Sequence, residues 1–458
     1  MSSSPPASRV NGEEAVFNLS NDHLEWRSTG GGEVGRIRRD GIIAVIPKQH
    51  GSGDEAILLT VEEASQTKED GETTTTPCLK TLNIAGLPDE LKSSSWVESL
   101  PSYLRGPGST VPRNVAPSNI HILISTKSGS QGAKRFYTDV LEPLLAEVSV
   151  TGVQVHETQS TETIMDFTSS VILPKAREGV SQTVILLAGD GGMVDIIKSL
   201  YADPKDSDIT PPVVSIIPLG TGNALANSTG LMKDSTWGLS ALIRGTPEPV
   251  PVFKVRVGDG NGEVSDVYGA VVASWGLHAS LVGDSDTEEY RRFGVDRFKM
   301  AAKELLHPSD GSESHRYRGK VTLIKKDTGS AKEYEEVIDR TEHMYVLTTL
   351  VSELEKGFRI SPSSEPLDGR LRVVHFGHVS PEEAMRLMGL AYQGKHVDEP
   401  AVGYEDVEGI RIEFDEEEGR WRRVCVDGKI VVVGQRGLVE VRTAHKKLVK
   451  LVTTAKRA

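Results

Sequence analysis

The chain has 458 residues and a formal net charge of −13 at neutral pH. This length exceeds what one hydrophobic core commonly supports, so we expect two or three domains. The acidic balance argues against general nucleic-acid binding, which depends on basic surfaces that neutralise phosphates. Cys78 and Cys425 are the two cysteines, and they match no metal-ligand spacing. We therefore expect a reducing compartment, with neither a disulfide nor a structural zinc site.

The first 118 residues divide into three parts by composition. Residues 1–14 are rich in serine and proline and are predicted to be disordered. Residues 15–100 contain short β-favouring runs, which predict a small β-rich module, such as one that binds a membrane or a partner. Residues 101–118 repeat proline and glycine, as linkers do. Without a signal-like or membrane-spanning apolar segment, we expect a cytoplasmic protein, either soluble or peripheral on a membrane.

Residues 119–246 alternate strand and helix in the manner of an open parallel sheet. Three apolar runs, HILIST, TVILLA and VVSIIP, are each followed by a glycine-rich turn and a helix-like segment. The three turns are KSGSQG, GDGG and LGTG. Because ligands of such sheets bind beyond the carboxyl ends of the strands, we expect a nucleotide-binding α/β domain with its site at these turns.

Residues 247–458 are rich in β-favouring runs, which predict a second domain built as an antiparallel β-sandwich. Two amphipathic helices interrupt it, RFGVDRFKMAAKELL and SPEEAMRLMGLAYQG. Ser380 is the predicted cap of the second helix, with Glu383 at the capping-box position. The basic tail AHKKLVKLVTTAKRA is interpreted as a solvated helix end, with contact to anionic lipid headgroups as the alternative.

Asp190, in the central turn, is the strongest candidate for chemistry. Gly189, Gly191 and Gly192 around it would let a phosphate approach the backbone and the free N–H groups of the following helix. A carboxylate among those donors can act as a base towards a nucleophile. The alternative is an ordinary helix cap. No segment fits the P-loop pattern, and the G-x-G-x-x-G match at residues 30–35 follows no apolar strand.

The first and third turns supply further candidates for contact with a nucleotide. Each turn alone is weak evidence, since glycine and serine are common in loops. Three such turns at one sheet edge favour a phosphate site. The residues predicted to contact ATP in these two turns are Ser125, Thr126, Lys127, Ser128, Gly129, Gly220, Thr221, Gly222 and Asn223.

Together these motifs resemble the diacylglycerol kinase catalytic family, and within it the sphingosine and ceramide kinases more than the bacterial diacylglycerol kinases. The resemblance runs from HILISTKSGSQGAKRFY through LLAGDGG, SIIPLGTGNALA, SWGLHASLVGDSDTEEYRRFGVDRF and PLDGRLRVV to CVDGKIVVV. It implies a lipid kinase whose α/β domain binds ATP, with Mg²⁺ as the metal. A lipid hydroxyl would be phosphorylated in the cleft against the β-sandwich domain.

The resemblance also implies roles for single residues. Asp190 matches the general base. Asp195, the second catalytic candidate, lies where the family usually has glutamate, and the alternative is a solvated carboxylate in the first helical turn. Thr158 matches a nucleotide-contacting loop. Arg291 and Arg297 match arginines that contact phosphate, which suits a planar guanidinium. The remaining matches are Asp427 and Gly428 near the adenine end of the nucleotide, and Gly189, Asp190, Gly191 and Asp284 around the lipid acceptor.

Asp284 matches a carboxylate that binds the polar head of a sphingoid base. Two extra residues precede it, so Ser280 and Asp286 are alternatives for that place. The chain departs from the family pattern at Ser125–Thr126, which replaces Asn-Pro, and at Lys429, which replaces a glutamate.

The leading hypothesis is an ATP-dependent lipid kinase that acts on a primary hydroxyl of a sphingoid base, with ceramide or diacylglycerol as alternative acceptors. The expected partners are the lipid and, transiently, a membrane surface, without nucleic acid. A catalytically weak or inactive lipid-binding protein on the same scaffold is the second hypothesis, motivated by the departures from the pattern. A kinase of soluble dinucleotides is the third. The sequence identifies neither the metal ligands nor the oligomeric state.

Overall fold

The computed structural model describes most of the chain. Among its described residues, none of the helices combines the length and the apolar character needed to cross a bilayer. The described residues are 8–20, 22–30, 34–47, 55–67, 73–86, 100–104, 119–129, 131–202, 208–233, 235–258, 260, 262, 264–293, 296–327, 329–330 and 332–454.

The N-terminal region forms one antiparallel sheet of seven strands in the order β4-β3-β2-β1-β7-β6-β5. The predicted β-rich module is therefore confirmed. The prediction of disorder was wrong for residues 9–14, which contribute to two strands, and residues 1–7 lie outside the described part. The strands are β1 (Arg9–Val10), β2 (Glu13–Leu19), β3 (His23–Ser28), β4 (Val34–Arg38), β5 (Ile42–Pro47), β6 (Glu55–Thr67) and β7 (Thr73–Ala85).

This sheet packs directly on the α/β domain. Ile43 and Leu59 are fully buried and share one apolar core with α/β residues such as Leu242. The start of the predicted linker is also packed, because the hydroxyl of the buried Tyr103 donates to the carbonyl of Leu242 at 2.8 Å. The linker prediction was therefore wrong for residues 101–104, and residues 105–118 lie outside the described part. The N-terminal sheet thus shares a continuous core with the next domain.

The α/β domain has a parallel sheet in which β9, β8, β10 and β11 are neighbours in that order. Strands β10 and β11 match the predicted runs TVILLA and VVSIIP residue for residue. The strands are β8 (Ile120–Ile124), β9 (Gln154–Glu157), β10 (Thr183–Ala188), β11 (Val213–Pro218) and β12 (Thr246–Pro249). The helices are α1 (Ala133–Phe136), α2 (Glu142–Glu147), α3 (Thr163–Phe167), α4 (Leu173–Arg177), α5 (Asp190–Tyr201), α6 (Ala224–Ser228) and α7 (Leu239–Arg244).

The second domain is the predicted β-sandwich. One sheet has the order β14-β13-β25-β22-β16-β17, with β18 paired to β16, and the other has the order β21-β20-β19-β15-β23-β24. Its strands are β13 (Val252–Gly258), β14 (Val264–Gly269), β15 (Val272–Gly276), β16 (Tyr317–Lys326), β17 (Glu333–Val337), β18 (Glu342–His343), β19 (Tyr345–Thr349), β20 (Leu371–Phe376), β21 (Val402–Val407), β22 (Gly409–Phe414), β23 (Arg423–Val426), β24 (Lys429–Val432) and β25 (Leu438–Ala444).

Four helices accompany the sandwich in the described part of the chain. The predicted cap of the last one is confirmed, because the Ser380 hydroxyl accepts the backbone N–H of Glu383 at 3.2 Å. These helices are α8 (Leu277–Ser285), α9 (Glu288–Arg291), α10 (Asp296–Leu306) and α11 (Pro381–Ala391).

The C-terminal segment returns to the α/β domain as strand β26 (Lys450–Thr453). It lies between β11, to which it is parallel, and β12, to which it is antiparallel. Leu451 and Val452 are fully buried and belong to the apolar cores on the two faces of the sheet. The interpretation as a solvated helix end or a lipid-contacting tail was therefore wrong for these residues. Their alternating apolar side chains complete the sheet.

Acid should destabilise the fold because several histidines are buried as neutral rings. His121 is fully buried, and both its ring nitrogens are without a hydrogen-bond partner among the described residues. Burial, with repulsion from Lys175 and His156, lowers the pKa of His121 to about 4. The unfolded chain binds a proton there below about pH 6.5. The free energy of unfolding should therefore be highest above pH 6.5 and fall by up to about 3 kcal/mol as the pH drops to 4.

Urea unfolding of the protein and of His121→Leu between pH 7.5 and 4.5 tests this expectation. The variant should lose less stability on acidification than the unmodified protein. Some acid sensitivity should remain, because burial also lowers the pKa values of His278, His343 and His375 to about 4. Equal slopes in the two proteins would contradict the assignment to His121.

Candidate active site

The three glycine-rich turns meet at one edge of the parallel sheet. They follow β8, β10 and β11, which are neighbouring strands. A Cβ atom on Gly129 would lie 2.1 Å from the carbonyl oxygen of Leu219, and one on Gly220 would lie 2.3 Å from the Cα of Gly189. Real Cβ atoms do not approach backbone this closely. The turns therefore pack backbone against backbone and need glycine at these contacts.

Gly220→Ala should destabilise the α/β domain by about 1–3 kcal/mol, the usual range for overpacking. The added methyl group must push the second and third turns apart, so binding of a nucleotide should fall as well. Thermal unfolding and calorimetric titration with ATP would measure both effects. Gly191→Ala is the matched control for stability, because a Cβ there meets nothing within 4 Å. Equal unfolding temperatures for Gly220→Ala and the unmodified protein would contradict the close-packing argument.

Asp190 is the first residue of α5, and its carboxylate faces the third turn. Oδ2 accepts the backbone N–H of Ala224 at 2.5 Å, and Oδ1 accepts that of Leu225 at 3.0 Å. Both donors belong to the first turn of α6. The carboxylate therefore caps a neighbouring helix instead of its own, and its position is fixed relative to two of the glycine-rich turns.

The pKa of Asp190 is raised to about 6, chiefly because the carboxylate is removed from water. The two backbone N–H groups oppose this shift, while the negative charge of Asp427 adds to it. A carboxylate with this pKa remains mostly ionised at neutral pH and is a stronger base than an ordinary aspartate.

Asp427 lies in the turn between β23 and β24, and φ is 49° at this residue and 82° at Gly428. Its carboxylate accepts backbone N–H groups from Ala270, Val271 and Val272 at 2.7, 3.0 and 2.7 Å. Burial raises the pKa of Asp427 to about 6, against these hydrogen bonds. The observed role of Asp427 is to hold its turn against the start of β15 and the two residues before it. Contact with ATP at Asp427 and Gly428 stays a prediction.

Further charged groups lie along α5 and next to the turn of Asp427. The ammonium group of Lys429 lies 2.7 Å from Oδ1 of Asp195. Burial lowers the pKa of Lys198, and the charge of Lys429 lowers it further. Lys198 was not predicted as a site residue, although its spacing of three residues from Asp195 places both on one helix face.

The first turn is held by short polar side chains. The hydroxyl of Thr158 accepts the backbone N–H of Thr126 at 3.1 Å, and the Thr126 hydroxyl donates to the Thr158 carbonyl at 3.0 Å. The hydroxyls of Ser125 and Ser128 lie 2.5 Å apart. The Ser-Thr pair that replaces Asn-Pro therefore fixes this turn through Thr158. Lys127 is exposed beside it.

The third turn is held by Asn223, which has a left-handed backbone with φ of 53°. Its side-chain oxygen accepts the N–H of Gly220 at 3.1 Å, and its side-chain NH₂ donates to the carbonyl of Gly220 at 2.8 Å. Asn223 is thus occupied with the turn itself. Thr221 is exposed and Gly222 half-buried, on the surface of the same turn.

The three candidates for recognition of an acceptor headgroup lie in or next to α8. The carboxylate of Asp284 lies 2.6 Å from a guanidinium nitrogen of Arg423 and 2.8 Å from one of Arg420. The hydroxyl of Ser280 accepts that of Tyr317 at 2.8 Å. Arg420 and Arg423 were missed because about 140 residues separate them from Asp284 in the chain.

Asp286, the third candidate, lies 3.6 Å from the guanidinium of Arg297. All three headgroup candidates are therefore already paired. The guanidinium of Arg297 also lies over the ring of Phe298, 4.7 Å from its centroid. Phosphate binding by Arg297 stays a prediction. The side chain of Arg291 lies outside the described part of the chain.

The described residues contain no cluster of three or more histidine, cysteine, aspartate or glutamate side chains that could hold a metal ion. The carboxylates of Asp190 and Asp427 are instead bound to backbone N–H groups.

Comparison with known proteins gives two matching family models. Residues 119–255 match the diacylglycerol kinase catalytic domain. Residues 330–436 match the YegS C-terminal NAD kinase beta sandwich-like domain. The two matches fall on the α/β domain and on the β-sandwich domain.

Two curated relatives are sphingosine kinases. Human sphingosine kinase 1 is 24% identical over 232 residues, which are 48% of this chain and 54% of the relative. The match thus spans about half the length of the human protein. Sphingosine kinase 1 of Mus musculus is 23% identical over 359 residues, covering 71% of this chain and 89% of the relative.

A solved structure from Bacillus anthracis, assigned as a diacylglycerol kinase, has a TM-score of 0.51 at 15% identity. The superposition covers 73% of this chain and 96% of that chain, which shows a shared fold. The family models, the relatives and the fold agree with the order of motifs in the sequence. The α/β domain therefore matches the diacylglycerol kinase catalytic domain, and the chain is similar to the sphingosine kinases.

Proposed function

We propose that this protein is an ATP-dependent lipid kinase that phosphorylates a primary hydroxyl of a lipid. A sphingoid base, ceramide and diacylglycerol are the candidate acceptors. The observation that carries the proposal is the placement of Asp190, whose carboxylate is fixed by two N–H groups of α6 beside three close-packed glycine turns. Such turns suit a polyphosphate, and such a carboxylate suits an attacking hydroxyl.

In the proposed reaction, Asp190 accepts the proton of the lipid hydroxyl. The hydroxyl oxygen forms a bond to the terminal phosphorus of ATP while the bond from that phosphorus to the bridging oxygen breaks, which releases ADP. The raised pKa of Asp190 makes this transfer easier than it would be for an exposed aspartate. Backbone N–H groups of the glycine turns would orient the phosphates.

The residues at the turns fit a nucleotide. Open space lies beside Gly191 and beside Gly428, where an added Cβ meets nothing within 4 Å. Mg²⁺ is commonly held by substrate phosphates and only one or two carboxylates, so the lack of a metal cluster in the described part is compatible with it. When bound, the ion would neutralise charge on the transferred phosphoryl group.

A transfer assay with labelled ATP, Mg²⁺ and a lipid panel tests the proposal. The panel contains a sphingoid base, ceramide and diacylglycerol in mixed micelles, with NAD as a soluble acceptor. Labelled lipid that appears with at least one acceptor supports the proposal. Transfer to NAD alone would replace it with a dinucleotide kinase.

A second candidate function is lipid binding without catalysis. It is favoured by Lys429, which places a cation where the family usually has a carboxylate, and by the pairing of Asp195 with that cation. Retained binding of lipid vesicles with no transfer to any acceptor would select this candidate.

Lipid access also implies contact with a membrane surface. Phe293 and Met300, beside and within α10, are each 41% exposed, although both are large apolar residues. We propose this region as the membrane contact. Replacement of both residues by serine should reduce sedimentation with vesicles, while transfer to a short-chain acceptor below its micelle concentration should persist.

A further inference from the structure

One ion pair joins the two domains through α5, the helix that begins at the candidate catalytic aspartate. Lys429 is the first residue of β24 and so belongs to the β-sandwich domain. Its ammonium group nevertheless contacts the α/β domain, at 2.7 Å from Oδ1 of Asp195 and 3.9 Å from the sulfur of Met165. The negative charge of Glu162 is also within its electrostatic reach. The side chain therefore crosses from one domain to the other.

The backbone that carries Lys429 is rigid. Asp427 and Gly428, the two residues before it, both have positive φ, as in the tight turns that join antiparallel strands. Three backbone N–H groups hold the Asp427 carboxylate. Because the turn is fixed at its base, the position of Lys429 is coupled to that of the whole β23–β24 hairpin.

The acceptor of this contact is part of the catalytic helix. Asp195 lies five residues after Asp190 in α5, and its side chain is 11% exposed, against 48% for Lys429. A carboxylate so far removed from water needs a partner charge. Restraint of Asp195 by Lys429 also restrains the orientation of α5, and with it the position of Asp190 relative to the β-sandwich domain.

In the sequence, Asp195 is shorter than the glutamate usual at its position, and Lys429 reverses the charge of the glutamate usual at its own. Two carboxylates at this distance would repel each other, whereas Asp195 and Lys429 attract. We propose that the Asp195–Lys429 ion pair is an interdomain latch that positions Asp190 over the acceptor. In this role Lys429 is a positioning residue. The proposal rests on the proposed kinase function for its kinetic consequences, but not for the coupling of the two side chains.

Kinetics of four variants test the latch. Lys429→Glu and Asp195→Asn should each lower kcat about tenfold, which corresponds to about 1.4 kcal/mol of coupling. The KM for ATP should change less than kcat, because the pair orients the base without contacting the nucleotide. Lys429→Arg should keep activity near that of the unmodified protein. The charge swap D195K with K429D should recover most of what the single changes lose.

Lys320→Glu is the matched control, because Lys320 pairs with Glu413 at 3.1 Å with 51% of its side chain exposed, but within one sheet. It should leave kcat unchanged. An unchanged kcat in Lys429→Glu would overturn the latch. A rise confined to the KM for ATP in Lys429→Glu, with Asp195→Asn unaffected, would also overturn it and assign Lys429 to nucleotide binding.

Unfolding by urea separates failure of the latch from failure of the kinase proposal. A double-mutant cycle with Lys429→Ala and Asp195→Asn needs no substrate. Non-additive changes in stability support the ion pair even when no lipid is phosphorylated, and additive changes overturn it whatever the activity.

Discussion

Replacement of Asp190 by asparagine is expected to lower phosphoryl transfer to lipid by about 10²–10⁴-fold, the usual contribution of a general base. The amide cannot accept the hydroxyl proton. It also presents an NH₂ group to one of the two backbone N–H donors of Ala224 and Leu225, so a loss of stability of about 1–3 kcal/mol should accompany it. Transfer assays and thermal unfolding on the same preparation would measure the two effects.

The pH profile separates the catalytic role of Asp190 from its capping role. A base must be deprotonated, so kcat/KM of the unmodified protein should rise with pH and level off above about 6, the pKa to which burial raises this carboxylate. The residual activity of Asp190→Asn should lack this rise. Full activity in the variant, or an unchanged profile, would show that the carboxylate only caps α6.

Removal of residues 446–458 is expected to prevent folding of the α/β domain. The deletion takes away β26, which separates β11 from β12 and contributes buried Leu451 and Val452 to the cores on the two sheet faces. Each buried aliphatic side chain truncated to alanine costs about 2–5 kcal/mol, so loss of the whole strand exceeds the stability of a typical domain. Soluble yield and cooperative thermal unfolding are the measurements.

Two point variants test the contribution of the same strand to stability. Leu451→Ala should lower the unfolding free energy by about 2–5 kcal/mol, because this side chain is fully buried. Lys447→Ala, at an exposed position of the same segment, should change it little. A soluble, cooperatively unfolding truncated protein would contradict the structural role of the strand.

The sequence alone predicted the parts of the fold that depend on neighbouring residues. Thr183–Ala188 and Val213–Pro218 were predicted with their observed bounds, because a strand buried on both faces reads as a continuous apolar run between turns. The cap at Ser380 was predicted for the same local reason. Asp190 and the glycine turns were found because both the turn and the helix after it are local features.

Contacts between distant segments needed the tertiary structure. The strand Lys450–Thr453 was misread because its two lysine-rich flanks resemble an exposed tail, and its pairing partner β11 precedes it by more than 230 residues. Neither the spacing of apolar residues nor the composition of the segment indicates that pairing. The same separation hid the arginine partners of Asp284.

The amino-acid sequence by itself determined the α/β and β-sandwich classes, the turns and the candidate base, because strand runs, glycine turns and helix starts depend on local sterics and on the burial of one segment. Only the tertiary structure decided that Asp195 meets Lys429, that Asp427 binds three backbone N–H groups, and that Lys450–Thr453 pairs within the sheet of the α/β domain. These contacts depend on tertiary packing, which brings segments far apart in the chain within hydrogen-bonding or ion-pair distance.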